Sequence, residues 1–186
     1  MMPRRSVFGL AAGAALSVVF GTDEAHAAQV LPIPLSELVA ESAQIWVATP
    51  LESHAEWVEE STGRYIVTWT RVRCDGPIVE REAHDGELFV RTLGGTIGRV
   101  GQLAPGEARL ALNEPCLVFL RKRRTGHVVA GMAQGHFALG RDEAGVLRLR
   151  ASASVARYKG IAGSVVAELA DRELSAAVQR VQRVAR

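Results

Sequence analysis

Residues 64–74 read Arg-Tyr-Ile-Val-Thr-Trp-Thr-Arg-Val-Arg-Cys, and this stretch carries the strongest secondary-structure signal in the chain. It is dense in β-branched and aromatic residues, which pack well on a pleated surface. In its later half, Trp69, Arg71 and Arg73 alternate with less polar side chains at a period of two residues. Residues 75–77 are Asp-Gly-Pro, a combination typical of turns. The stretch therefore predicts a half-buried β-strand that ends in a turn.

The segments on either side of this stretch have the same strand character. Residues 45–49 form one strand-like segment, and Pro50 lies where a strand or its pairing would end. Because crossover helices, which parallel strands require, are missing between the strands, we expect an antiparallel sheet that curls into a small barrel or sandwich. Short turn-rich segments separate the later strands. Those strands are expected over residues 87–93, 116–121, 127–132, 135–139 and 146–150.

Two helices are predicted at the ends of this β-rich region. Ser36 has the character of an N-cap, so a short helix is expected over residues 36–43. Between residues 161 and 184, apolar residues recur at helical spacing, which predicts an amphipathic C-terminal helix with a break near Asp171. Its apolar stripe would most simply cover one mouth of the barrel. The expected fold is thus mainly β: a small, antiparallel, partly open OB-like barrel with a short N-terminal helix and a C-terminal amphipathic helix.

The first residues have the composition of an export signal. Arg4 and Arg5 precede the apolar run of residues 7–20, and Ala25 and Ala27 form a small-x-small cleavage site. The apolar run is shorter than the roughly 20 residues that a membrane-spanning helix needs. We therefore expect a signal peptide over residues 1–27, a β-barrel domain over 28–160, and a C-terminal helix over 161–186 packed on the same domain.

Two export routes are consistent with this signal. Arg4 and Arg5, followed by Ser6 and the apolar pair Val7-Phe8, resemble a twin-arginine signal peptide. An ordinary secretory signal remains the alternative, since residues 21–27 contain acidic residues and no basic residue. Either route predicts a periplasmic or secreted protein with no integral membrane anchor after cleavage.

Charge and length narrow the function classes. The chain has 22 Lys and Arg against 20 Asp and Glu, a formal net charge of +2, and residues 1–27 contain two of each sign. This balance does not favour a nucleic-acid partner or an acidic tail. The remaining length suits one domain that can bury a core without a disulfide scaffold.

The chain has two cysteines, Cys74 and Cys116, in or beside predicted strands. In an oxidising compartment they could pair, provided that their Cα atoms lie within about 7 Å of one another. The alternative is two buried free thiols that pack as small apolar groups. The sequence leaves both open.

No motif for catalysis, a cofactor or a metal stands out. The glycine cluster at residues 94–101 lacks the Lys and the following helix of a phosphate-binding loop. The five histidines show no zinc-ligand spacing, Cys-x-x-Cys is absent, and Gly-x-Ser-x-Gly is absent. We therefore predict no catalytic, cofactor-binding or metal-binding residues.

Two features are candidates for a binding surface. Glycines allow a long loop to approach other chain segments closely. The run at residues 121–124 is a compact positive charge between two strands, where it either caps a hairpin tip in solvent or attracts an anionic partner. The candidate surface comprises Gly94, Gly95, Gly98, Arg99, Arg121, Lys122, Arg123 and Arg124.

A block of motifs runs through the middle of the chain. It reads Val-Arg-Thr-Leu-Gly-Gly at 90–95, Pro-Cys-Leu-Val-Phe-Leu-Arg at 115–121 and Gly-Met-Ala-Gln-Gly at 131–135. The block resembles an uncharacterised family of exported bacterial proteins with a diglycine loop, a Leu-Phe-Leu strand and an Ala-Gln-Gly turn. The resemblance covers roughly residues 36–140 and implies a small β-barrel, without implying an activity or catalytic residues.

A looser similarity is to the oligonucleotide/oligosaccharide-binding (OB) type of barrel, including netrin-like inhibitor modules. Inhibitors that resemble tissue metalloproteinase inhibitors begin with a cysteine, whereas this chain would begin at Ala28 after cleavage.

Three functions follow as hypotheses from these observations. The leading one is an exported, non-enzymatic binding module that recognises a cell-envelope protein or an anionic glycan. The alternatives are a regulator that inhibits a co-exported protease, and an enzyme with no recognisable motif whose polar residues converge from several strands.

Overall fold

The computed structural model describes residues 31–61 and 63–186. The chain is mainly β, with a short helix near the beginning of the described part and a C-terminal helix, as the sequence predicts. The export motif Arg4 and Arg5 and the cleavage site Ala25 and Ala27 lie outside the described residues. The helices are α1 (Leu35–Glu41), α2 (Val165–Leu169) and α3 (Leu174–Ala185), and two 3₁₀ segments span Met132–Gly135 and Ala153–Gly160. The strands are β1 (Gln44–Glu60), β2 (Gly63–Glu80), β3 (Glu87–Leu93), β4 (Gly95–Ile97), β5 (Val100–Gln102), β6 (Cys116–Arg123), β7 (Gly126–Val129), β8 (His136–Arg141) and β9 (Leu147–Ala151).

Five strands form a circuit that makes the barrel. β1 pairs with β2, β2 with β3, β3 with β7, β7 with β6, and β6 returns to β1. Every pairing in the circuit is antiparallel except β3 with β7, which is parallel and joins only Val90 to His127 and Arg91 to Val128. This short parallel seam, which the sequence did not predict, leaves the OB-like barrel partly open. Strands β8 and β9 extend the sheet outward from β6.

Two expected strand ends are β-bulges inside long strands. Pro50 lies within β1, where the register shifts between Pro50 and Glu52, and the strand continues to Glu60. The Asp75-Gly76-Pro77 stretch lies within β2. Ala48 pairs with Cys74 and Val47 pairs with Gly76, so Asp75 between them has no pairing partner on β1. Both predictions of strand ends were wrong, because a bulge tolerates an unpaired residue and bends the strand while the pairing continues.

The sheet has an apolar core on each of its faces. The inner core fills the barrel and takes side chains from all five circuit strands, among them Trp46, Val72, Val90, Val118 and Val129. The outer core takes the alternate residues of β1 and β6 together with Phe137 of β8 and Leu149 of β9, and the helices pack over these side chains. This alternation follows from the two-residue period of a strand, and it explains why 116–120 in β6 is apolar at every position and fully or almost fully buried.

The helices cover the outer face of the sheet around β1, β6, β8 and β9. The C-terminal helical region is broken near Asp171 as predicted, since Asp171 has a left-handed φ of 64° between α2 and α3. Ala177 and Val181 of α3 are fully buried in the outer core, so the helix packs on the side of the barrel and not over its mouth. The α1 N-cap is Pro34 and not Ser36, which lies inside the helix. Within the described residues, the helices are too short or too polar to cross a bilayer.

The predicted Ala-Gln-Gly turn anchors the segment that leads into α1. Gln134 is fully buried; its side-chain amide donates to the Leu31 carbonyl at 2.8 Å and its carbonyl accepts from the Ile33 amide at 3.0 Å. Gly135 allows the 3₁₀ segment to pass the Ala130 carbonyl, which a Cβ at this position would overlap. The turn therefore anchors the segment before α1 to the barrel through buried hydrogen bonds.

Candidate functional site

The β6–β7 hairpin separates its basic residues onto two faces. Arg121 pairs with Val128 and Arg123 with Gly126, so these two arginines share the outer face of the barrel. Lys122 lies on the opposite face, where its ammonium group is 2.9 Å from the Glu82 carboxylate. The positive run is thus split by the strand geometry, and Lys122 does not join the other basic residues.

The arginines on the outer face line a cleft of about 490 Å³, which we call the basic cleft. It is lined by Arg121, Arg123, Arg124, Arg91, Glu60 and Leu93, among others. Arg123 and Arg124 are exposed and form no ion pair within the described residues. Their charges are therefore available to a ligand.

Arg91 is the arginine of the basic cleft that sequence reasoning missed. It lies on β3, its guanidinium donates to the Tyr65 hydroxyl at 3.0 Å, and Glu60 is 3.5 Å away. The period-two alternation of β3 placed Arg91 on the outer face, but only the β3–β7 pairing brings it beside the hairpin. These contacts hold the guanidinium in position.

The guanidinium of Arg121 uses only some of its hydrogen-bond donors within the protein. One guanidinium nitrogen lies 2.9 Å from the Glu41 carboxylate, while its Nε is buried without a hydrogen-bond partner among the described residues. Arg121 therefore joins α1 to the hairpin and keeps one donor unsatisfied.

A second concavity lies between the inner face of the sheet and residues 93–110. It measures about 590 Å³, and we call it the hydroxyl cavity because Ser53, Thr68, Thr70, Thr92 and Thr96 line it. Thr68 and Thr92 are directly paired between β2 and β3, and Thr70 is paired with Ser53 of β1. Three neighbouring strands therefore present hydroxyl groups from one face.

The diglycine forms one wall of the hydroxyl cavity. The Thr68 hydroxyl donates to the Gly94 carbonyl at 2.7 Å, and a Cβ at Gly95 would overlap the Thr68 hydroxyl. Gly94 has a φ of 85° and Gly95 a φ of 142°, which glycine adopts without strain. Glycine at both positions allows the β4–β5 hairpin to lie directly against the sheet.

Gly98 and Arg99 lie apart from both concavities. They form the exposed turn between Ile97 and Val100, which are the last paired residues of β4 and β5. The structure thus divides the candidate surface into four places: Gly94 and Gly95 at the hydroxyl cavity, the three arginines of the hairpin at the basic cleft, Lys122 beside Glu82 on the opposite face, and this turn.

Leu93 and Glu107 line both concavities and form the wall between them. The Glu107 carboxylate accepts hydrogen bonds from the Leu93 and Ala108 amides at 3.3 and 3.1 Å. Burial raises the pKa of this carboxyl, and the two amide hydrogen bonds oppose that effect only in part. Sequence reasoning missed Glu107, because nothing local distinguishes it from a solvated loop carboxylate.

Cys74 and Cys116 are free thiols in this structure. Both are paired with Ala48, from opposite sides of β1. Two strand spacings put their Cα atoms about 10 Å apart, beyond the about 7 Å that a disulfide allows. Burial raises the pKa of Cys116 to about 12 and also raises that of Cys74, so neither sulfur is a ready nucleophile.

Two histidines have pKa values lowered by burial. His136 on β8 is 8% exposed, and burial lowers its pKa to about 4. The pKa of His127 on β7 is shifted in the same direction by burial, although Glu82 opposes the shift. Both imidazoles are therefore neutral at pH 7. In the part of the chain that the structure describes, no three His, Cys, Asp or Glu side chains converge in a way that could hold a metal ion.

Comparison with known proteins identifies no relative of this chain. No protein-family model matches the chain, and no curated protein or solved structure is significantly similar to it. The two concavities are therefore the basis on which a function is inferred.

Proposed function

We propose that this chain is an exported, non-enzymatic binding module whose basic cleft recognises an anionic glycan of the cell envelope. The observation that carries the proposal is the convergence of Arg91, Arg121, Arg123 and Arg124 on one cleft, two of them without an acidic partner among the described residues. Guanidinium groups bind carboxylates and phosphates through paired, charge-assisted hydrogen bonds.

The position of the cleft on the fold supports a glycan ligand. OB-type barrels bind oligosaccharides and oligonucleotides on the exposed face of their second and third strands, between the loops that follow the first and fourth strands. In this barrel β2 and β3 occupy those places, and the β1–β2 and β6–β7 hairpins supply the loops. This support is an analogy of fold, and the residues themselves carry the chemistry.

The surface around the cleft favours a charged polymer over a protein partner. Protein interfaces have apolar, aromatic-rich centres. Here the centre is charged, and the exposed apolar side chains beside it are Leu93, which lines the cleft, and Phe89 on the same face of β3. A chain of acidic sugars would place carboxylates on the guanidinium groups and sugar C–H groups on Leu93.

A binding titration against three polymers tests the proposal. The exported protein is titrated with polygalacturonate, with neutral dextran of similar length, and with poly-glutamate. We expect polygalacturonate to bind with an affinity that falls as salt is added, and dextran not to bind. Failure of polygalacturonate to bind at low salt, or equally tight binding of poly-glutamate, would overturn a glycan-specific role.

Paired charge variants locate the site. Arg123→Ala with Arg124→Ala removes two free cations from the cleft, and at about 1.5 kcal/mol for each charged hydrogen bond we expect affinity to fall about 100-fold. The control, Arg183→Ala with Arg186→Ala, makes the same change of net charge on the exposed end of α3. Equal losses in the two double variants would show attraction by net charge alone and refute the assigned site.

A further inference from the structure

We propose that the hydroxyl cavity is a second ligand site, which takes an uncharged sugar of one or two units. This inference does not rest on the basic cleft, since it concerns the opposite face of the sheet and a ligand of different charge. The cavity volume of about 590 Å³ lies within the 300–1,000 Å³ of most small-molecule sites.

The hydrogen-bonding groups of the cavity are incompletely used by the protein. The Thr68 hydroxyl donates to Gly94, and that of Thr92 lies 3.4 Å from the Thr68 carbonyl. The hydroxyls of Ser53, Thr70 and Thr96 have no partner among the described residues. A hydroxyl both donates and accepts, so these groups match the hydroxyl pattern of a sugar.

Thr70 is the most informative of these residues. It is 2% exposed, it lines the cavity, and its hydroxyl is not satisfied by the surrounding described residues. Its hydroxyl is not among the polar atoms of the described residues that are buried without a hydrogen-bond partner, so it is reached from the cavity. A ligand that enters the cavity can therefore hydrogen-bond the Thr70 hydroxyl in place of water.

The charge and the apolar wall of the cavity specify the ligand further. Glu107 and Arg109 are the charged residues that line it, and their signs are opposite. Leu93, Leu103 and Leu110 are the large apolar residues that line it, and the C–H face of a sugar ring would pack on such side chains. A ligand that carries many hydroxyls, an apolar ring face and no net charge satisfies all three features.

Direct binding of neutral disaccharides tests the inference. The exported protein is titrated by saturation-transfer NMR and calorimetry with cellobiose, maltose and the disaccharide of N-acetylglucosamine, and with glucuronate as the charged comparison. We expect at least one neutral disaccharide to bind at millimolar concentration and glucuronate to bind less well. Absence of binding by all three neutral sugars at about 10 mM, or preferential binding of glucuronate, would overturn the inference.

Two variants show whether the cavity holds the sugar. Thr70→Val keeps the shape and removes one hydroxyl, so we expect affinity to fall about five- to tenfold. The same variant should unfold no more easily than the wild type, since the hydroxyl has no partner among the described residues to lose. Ser53→Phe changes an exposed residue at the cavity, and we expect it to block binding without affecting the core.

Two control variants show that any loss of binding arises in this cavity. Thr49→Val makes the same exchange on β1 outside the cavity, where the hydroxyl contacts Asp75, and it should bind sugar as the wild type does. Arg123→Ala with Arg124→Ala should also leave neutral sugar binding unchanged, so failure of the basic cleft and failure of this cavity are distinguishable. Unaltered affinity in Thr70→Val and Ser53→Phe together would refute the assignment.

Discussion

Protonation of His136 is expected to make the fold sensitive to acid. The side chain is 8% exposed on β8 and faces the same side of the sheet as Val118 of the inner core, to which it is directly paired. Burial lowers its pKa from 6.5 to about 4, so the folded protein keeps the imidazole neutral at a pH at which the unfolded chain protonates it. The stability that this residue contributes is present above pH 6.5 and is lost as the pH falls toward 4.

The size of this effect follows from the two pKa values. Each unit of pKa difference corresponds to 1.36 kcal/mol between the two states. Relative to pH 7.5, His136 should lower the free energy of unfolding by about 1 kcal/mol at pH 5.5 and by about 2–3 kcal/mol at pH 4.5. In a domain of this size the larger value corresponds to roughly 5–10 °C in Tm.

Urea unfolding at several pH values measures the effect. The free energy of unfolding is compared between the wild type and His136→Gln, which does not titrate, so that contributions from other groups cancel. His54→Gln is the control, because His54 is exposed on β1. Parallel pH profiles for the wild type and His136→Gln, or an imidazole that titrates near pH 6.5 in the folded protein by NMR, would refute the reasoning.

Three further predictions concern packing, charge and the thiols. Gly135→Ala should destabilise the fold by about 3 kcal/mol, because its Cβ overlaps the Ala130 carbonyl. Gly160→Ala is the control: its Cβ meets nothing within 4 Å, so it should unfold at the wild-type urea concentration, and equal midpoints for the two variants would contradict the close approach at Gly135. Burial raises the pKa of Glu107, so the wild type should gain stability relative to Glu107→Gln as the pH falls toward 4, opposite in sign to His136, and a relative loss would contradict the burial effect. Mass measurement after alkylation of the unreduced, denatured protein should show two adducts, at Cys74 and Cys116, and recovery of the unalkylated mass would demonstrate a disulfide.

The local features of the fold were accessible from the sequence. The two-residue period of residues 68–74 correctly separates the inner and outer faces of β2, and the break at Asp171 was visible in the apolar spacing. These two predictions are correct because each depends only on residues that are close together along the chain. Pro50 shows the limit: its effect on β1 depends on a bulge opposite β2, which is a property of two strands and not of one.

The candidate sites were accessible only in part. The hairpin arginines were visible as a charge run, but the removal of Lys122 to the other face requires the strand register, and the addition of Arg91 requires the parallel seam between β3 and β7. The hydroxyls of Ser53, Thr70 and Thr92 come from three strands and share no local pattern. A site made of residues far apart in sequence becomes visible only when the register is known.

Because the two concavities share a wall, ligand binding in one is expected to affect ligand binding in the other. Leu93 is the last residue of β3, and the glycines that follow it turn the chain over the inner face, so one short segment borders both the basic cleft and the hydroxyl cavity. Glu107 is fixed to this segment through the Leu93 amide. A ligand that moves Glu107 in one concavity would therefore alter the other, and binding free energies coupled in this way must be reciprocal. We expect polygalacturonate and a neutral disaccharide to change each other's affinity by the same factor, and Glu107→Gln to reduce that factor; an affinity for each ligand that is unchanged when the other is saturating would refute the coupling.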